Sequence, residues 1–95
     1  MPKAYWIARA TVSNPDQYKL YAEAASAQFM KYGAKVLARG GRYAALEGAS
    51  RPRNVVIEFN SYDDAVSCYN SPEYQEARQK RLQAGEVEIV IVEGV

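Results

Sequence analysis

Residues 53–78, RNVVIEFNSYDDAVSCYNSPEYQEAR, decide the architecture. Val55, Ile57 and Phe59 alternate with Val56, Glu58 and Asn60, and a period of two in β-branched and aromatic residues is a strand signal. Glu58 alone interrupts an otherwise apolar run, which predicts a central strand nearly buried on both faces. Ser61 stands at an N-cap position, its hydroxyl placed to accept from a first-turn amide, and Asp63 and Asp64 suit the positive end of a helix. Tyr62, Ala65, Val66 and Tyr69 follow at helical spacing, and Asn70 tolerates the left-handed conformation that stops a helix. Ser71-Pro72 then opens a second, shorter helix, with serine as cap and proline in the first turn, where its missing N–H costs nothing.

Upstream, Tyr5 to Val12 reads as a strand with Trp6, Ala8, Ala10 and Val12 on an apolar face and Tyr5, Ile7, Arg9 and Thr11 on a mixed one. Asn14-Pro15 starts a helix whose stripe is Tyr18, Tyr21, Ala22, Ala25, Phe29 and Tyr32, and Gly33 ends it. Lys35 to Arg39 is a second strand, broken by a Gly40-Gly41 bend and expected to resume from Arg42 to Glu47. Gly48 to Pro52 turns the chain back into the central strand, with Arg51 and Arg53 read as solvated turn residues, or as closing over a pocket mouth if the hairpin folds back. Downstream, Tyr74 and Ala77 form the packed face of the short helix, while the charged remainder through Arg81 is expected in solvent. Gly85 is read as the end of that helix and Glu86 to Glu93 as the last strand. Strand-helix-strand twice over predicts an α+β, ferredoxin-like βαββαβ sandwich: one domain, residues 1–95, with a four-stranded antiparallel sheet and helices on one face.

Composition narrows the function. Twelve basic against eleven acidic residues leave a net charge of +1, so neither a nucleic acid nor a membrane surface is an expected partner. No stretch has the length of a membrane-spanning helix, and Met-Pro-Lys leads directly into a strand, so a cytoplasmic location is expected. Histidine is absent, which excludes histidine-based triads, histidine zinc sites and histidine-ligated haem. With Cys68 as the one cysteine, no soft metal site can be assembled either, and neither metal nor cofactor is expected.

The sheet face turned away from the helices would carry Tyr5, Ile7, Lys35, Leu37, Arg39, Val56, Glu58, Val90 and Val92. That surface is too apolar to stay wet, which predicts a homodimer formed sheet against sheet. Arg9 and Glu58 would meet near its centre, with Arg39 lining the same space. The plain reading of these charges is an ion pair that sets register. The sharper one is a polar pocket in which Arg9 or Arg39 holds a carboxylate or enolate and Glu58 moves a proton. Tyr69 and Tyr74 flank the helix break and, with Tyr5, are the candidate ligand-binding hydroxyls, although packing accounts for most of the eight tyrosines.

YWIAR (Tyr5–Arg9), the Asn14-Pro15-Asp16 helix start, KYGAKVLARGGR (Lys31–Arg42), RPRNVVIEF (Arg51–Phe59) and CYNSPEYQEAR (Cys68–Arg78) resemble the domain-of-unknown-function family 1330, a member of the dimeric α/β-barrel superfamily. The resemblance implies a ferredoxin-like monomer and a face-to-face dimer. Cofactor-free monooxygenases, lactone isomerases and haem-degrading proteins share the barrel but not these motifs, so the resemblance carries over no catalytic residues. Two functions stand open. One is a dimer that binds a small organic acid or aromatic between sheet and helices, with cofactor-free proton-transfer or monooxygenase-type chemistry. The other is a non-catalytic accessory or regulatory dimer.

Overall fold

A computed structural model describes residues 2–95. Its elements run β1 (Ala4–Val12), α1 (Pro15–Lys31), β2 (Lys35–Arg39), β3 (Arg53–Phe59), α2 (Tyr62–Asn70), α3 (Pro72–Gln79) and β4 (Gly85–Glu93). The four strands form one antiparallel sheet in the order β2-β3-β1-β4. The N-cap readings hold: Asn14 Oδ1 accepts from the Gln17 amide at 3.2 Å, and Ser61 Oγ from the Asp64 amide at 3.1 Å. Asn70 is not the left-handed stop expected of it: it is the last helical residue of α2, and its φ is not positive. Ser71 does double duty, accepting from the Tyr74 amide at 3.1 Å and donating to the Cys68 carbonyl at 2.8 Å. One side chain thereby closes α2 and opens α3.

Trp6, on the central strand β1, is the hub of the core. Its ring lies 5.0 Å from Tyr74, 5.1 Å from Phe29, 5.7 Å from Tyr69 and 6.0 Å from Phe59, centroid to centroid. Register places Ile57 and Ile91 on either side of it, so the middle of the sheet presents apolar residues to the helices. Ala65, Cys68, Ala77 and Ala84 fill the remainder. Tyr62, expected on the buried stripe of α2, is exposed instead, since Ala65 and Cys68 at the centre of that stripe already meet the sheet.

Three further expectations are corrected. First, residues 42–47 form no strand: Gly40, at φ 66°, turns the chain off the sheet after its amide bonds the Asn54 carbonyl. Arg39 has by then paired with Val55, and Pro52 offers no N–H to prolong the ladder, so the segment lacks a partner. Second, α3 stops at Gln79 and Arg81 is buried, its guanidinium 5.2 Å over the Tyr21 ring. Gly85 opens β4 rather than closing a helix, and it lies so close to the Thr11 carbonyl that a side chain there would collide with backbone. Third, the register of β2 shifts between Val36 and Ala38. This bulge pairs Lys35 with Glu58 but Arg39 with Val55, so Arg39 crosses to the helix-facing side of the sheet.

The whole is a slab 37 × 32 × 17 Å in its Cα extents, thick enough for one sheet and one layer of helices. The other sheet face carries Ile7, Val56, Val90 and Val92 uncovered by the chain's own helices, with Val90 56% exposed. Among the described residues, no helix is long and apolar enough to cross a membrane.

Candidate functional site

The stripe of α1 has to be wide to carry Tyr18, Tyr21 and Phe29, and these rings hold the helix off the sheet. Its backbone packs chiefly on α3. Beneath it, against β2 and β3, lies a cavity of about 480 Å³ lined by Trp6, Tyr18, Tyr21, Phe29, Val36, Val55 and Ile57, with Arg39 and Arg53 among the walls. A second hollow of about 540 Å³ adjoins it toward Pro15, Gly40 and Pro52. The two share Tyr18, Lys19, Ala22 and Arg53, and so form one groove along α1 with Arg53 at its waist.

Arg53 reaches this place by strand alternation. It pairs with buried Ala10 and therefore faces the helices, not the solvent expected for a turn residue. Its guanidinium lies 5.3 Å from the centroid of the Tyr18 ring. Gly40 leaves it room, since a Cβ there would stand 3.3 Å from Nη1. Arg53 Nε is buried without an acceptor, and an unsatisfied buried donor costs about 1–3 kcal/mol. Among the described residues neither Arg53, Arg39 nor Lys19 forms an ion pair, and the one acid on the groove wall is the exposed Glu23.

A buried polar group borders the inner end. The Tyr21 and Tyr74 hydroxyls lie 2.8 Å apart, and Tyr21 lines the cavity. Burial, then the neighbouring Tyr21, pushes the Tyr74 phenol far above its ordinary range, while Arg81 draws it partly back. Tyr18 is raised for the same first reason, burial, with Tyr21 adding to it and Arg53 opposing. For Arg81 burial acts to lower the pKa, but the Tyr74 and Tyr21 oxygens outweigh it and the group stays charged. These phenols are therefore hydrogen-bond donors at neutral pH.

The residues singled out from the sequence do not converge on one place. Arg9 and Glu58 share the uncovered sheet face but do not meet: Arg9 stands opposite Asn54 and Glu88, Glu58 opposite Tyr5 and Lys35. Four steps along β3, from Asn54 to Glu58, separate the two positions, roughly 13 Å at about 3.3 Å per residue. The expected Arg9–Glu58 pair is replaced by Arg9–Glu88 at 3.5 Å. Arg51, read as solvated, completes that network, its Nε 2.8 Å from Glu88 Oε1 and its Nη1 3.1 Å from Glu86 Oε2. Tyr5 belongs to the same face. Tyr69 packs on Trp6 and Tyr74, and Tyr74 is fully buried, one hydroxyl removed from the groove. Only Arg39 enters the groove itself, and it does so from the face opposite to the expected one. Sequence reasoning left Arg53 among the turn residues and Tyr21 among the packing residues, and placed neither in the site. Strand alternation with Val55 and Ile57 places Arg53 among the core-facing positions, which was the available signal.

A four-stranded antiparallel sheet with helices on one face, in βαββαβ order, defines a ferredoxin-like protein of the type found in dimeric α/β barrels. Residues 3–95 match the family described as Domain of unknown function (DUF1330), and the chain belongs to it. A protein of unknown function from Rhodopseudomonas palustris is similar at 19% identity and a TM-score of 0.74, over 99% of this chain and 83% of the other. A dimeric ferredoxin-like protein of unknown function from Thermobifida fusca is 15% identical with a TM-score of 0.64, over 97% and 91%. SnoaB, a cofactor-independent oxygenase from Streptomyces nogalater, is 13% identical with a TM-score of 0.63, over 96% and 91%. At these identities the likeness is one of fold. No curated protein matches the chain.

Proposed function

We propose that residues 1–95 form a single cytoplasmic domain that dimerises through its uncovered sheet face and binds a small organic acid or aromatic in the groove under α1. Cofactor-free proton-transfer or monooxygenase-type chemistry is the reaction class. The observation that supports this reading is the groove itself: an apolar cavity of about 480 Å³ whose guanidinium groups lack acidic partners. Cavities of this size with a few convergent polar groups are the usual form of small-molecule sites. Arg39 is the proposed holder of a carboxylate or enolate, and Tyr74 acts through Tyr21 as the hydroxyl donor. Likeness of fold to a cofactor-independent oxygenase agrees with this class without assigning it.

A second reading has its own support. Arg9, Arg51, Glu86 and Glu88 satisfy one another across the sheet face, which suits charges that set register in a non-catalytic accessory or regulatory dimer. Arg9, Glu58 and Tyr5 then act at the interface, not in chemistry. A thermal-shift screen of organic acids, phenols and flavins separates the two. A ligand specific for the folded state at 100 times its dissociation constant stabilises by about 2.7 kcal/mol. Shifts from acids or phenols that weaken in Arg39→Ala support the groove. No shift from any compound leaves the accessory dimer standing.

A further inference from the structure

We infer that the groove selects aromatic carboxylates, with Arg53 joining Arg39 on the carboxylate and supplying the larger share of the hold, and the rings of Trp6, Phe29 and Tyr18 as the bed for the aromatic part. The inference rests on the groove being a ligand site and goes on to name the ligand's chemistry. Three observations carry it. Arg53 stands where the two hollows meet and lines both. Its guanidinium lies 5.3 Å from the centroid of the Tyr18 ring and has no carboxylate partner among the described residues. A planar guanidinium fork beside an aromatic face matches a planar bidentate anion. Arg39 and Lys19 line the same space, while Glu23 is the lone acid, so the wall is net positive within a chain of net charge +1. Apart from Ser26, the remainder of the cavity lining is apolar and aromatic, which disfavours small hydrophilic acids and favours a flat ring.

Trp6 is the one tryptophan in the chain and lines the cavity, so its fluorescence reports occupancy directly. The test titrates the full-length protein with 2-naphthoate and with 2-naphthamide, its neutral counterpart of nearly the same shape, in parallel by Trp6 quenching and by thermal shift. The expected result is at least tenfold tighter binding of 2-naphthoate, and loss of that preference in Arg53→Met. Binding of 2-naphthamide by the variant is retained and shows that the groove is still folded. Arg39→Met is expected to weaken 2-naphthoate to a smaller degree. Equal affinity for the two probes, or a preference that survives Arg53→Met, overturns the carboxylate assignment while leaving the groove as a ligand site. Failure of both probes to bind the unaltered protein overturns the groove reading together with the inference.

Discussion

Arg81 and the pair Tyr21–Tyr74 show how few polar atoms the interior of this chain tolerates and how it keeps them. The hydroxyls bond each other at 2.8 Å, and Arg81 lies over the Tyr21 ring with a mere 7% of its surface exposed. Tyr21→Phe and Tyr74→Phe are each expected to cost roughly 1–2 kcal/mol, since each strands the other hydroxyl. The double variant should cost less than the sum, and urea melts of the four-protein cycle measure the difference. Additivity would mean that the two hydroxyls do not depend on each other. The same neighbourhood sets an alkaline limit. Burial pushes the Cys68 thiol from 9.0 up to about 11, and raises the Tyr18 and Tyr74 phenols too. Each group ionises more readily once unfolded, so the stabilisation is whole below the unfolded pKa and fades as pH rises toward the folded one. Melting temperature should therefore decline between pH 9 and 11, starting with the thiol, and Cys68→Ala should flatten the first part of that decline. A level profile through this window would contradict the sign argued here.

At the level of elements, Ser71 joins two helices with a single hydroxyl, and Ser71→Ala should cost about 0.5–2 kcal/mol in denaturant melts. An effect near zero would show that the Pro72 start suffices to hold α3. Ser71 was legible because capping is local: a hydroxyl three residues before an amide leaves a mark in the sequence itself. The same holds for Asn14, Ser61 and the alternation of Val55, Ile57 and Phe59, and so the sheet and helices follow from pattern. The groove was much less legible. Arg39 changes sides because β2 carries one extra residue at the bulge, and an irregularity of one residue inverts every facing that strict alternation predicts beyond it. Arg53 looked like a turn residue beside Pro52, although its parity with Val55 put it on the core side. Arg81 looked like part of a charged run, and only the approach of α1 to α3 covers it. Arg39 and Arg81 depend on contacts between distant segments, which periodicity does not record, whereas the facing of Arg53 was written in the alternation of β3.

For the whole molecule, the 17 Å thickness of the slab is the quantity that bears on assembly. One sheet and one helix layer leave the far side of the sheet without cover, and Ile7, Val56 and Val90 lie abreast at its middle by register. Toward one end Arg9, Arg51, Glu86 and Glu88 satisfy one another, so a partner meets charges already neutralised there and the apolar Ile7, Val56 and Val90 beside them. A standard interface takes about 800 Å² from each partner, and a face within a 37 × 32 Å outline has room for it. The proposed dimer should therefore sediment at twice the 10.6 kDa chain mass. Val90→Glu sets an acid against Ile7 on both copies, where desolvating an unpaired charge costs several kcal/mol. That variant should sediment as a monomer while keeping its circular dichroism, since Val90 is 56% exposed in the isolated chain and supports nothing beneath it. A variant that stays dimeric would move the interface elsewhere, with the exposed Leu46 and Tyr43 of the loop after β2 as the next surface to alter. A parent protein that is monomeric at 100 μM or so would remove the sheet-to-sheet dimer altogether, and the groove under α1 would then have to act within one chain.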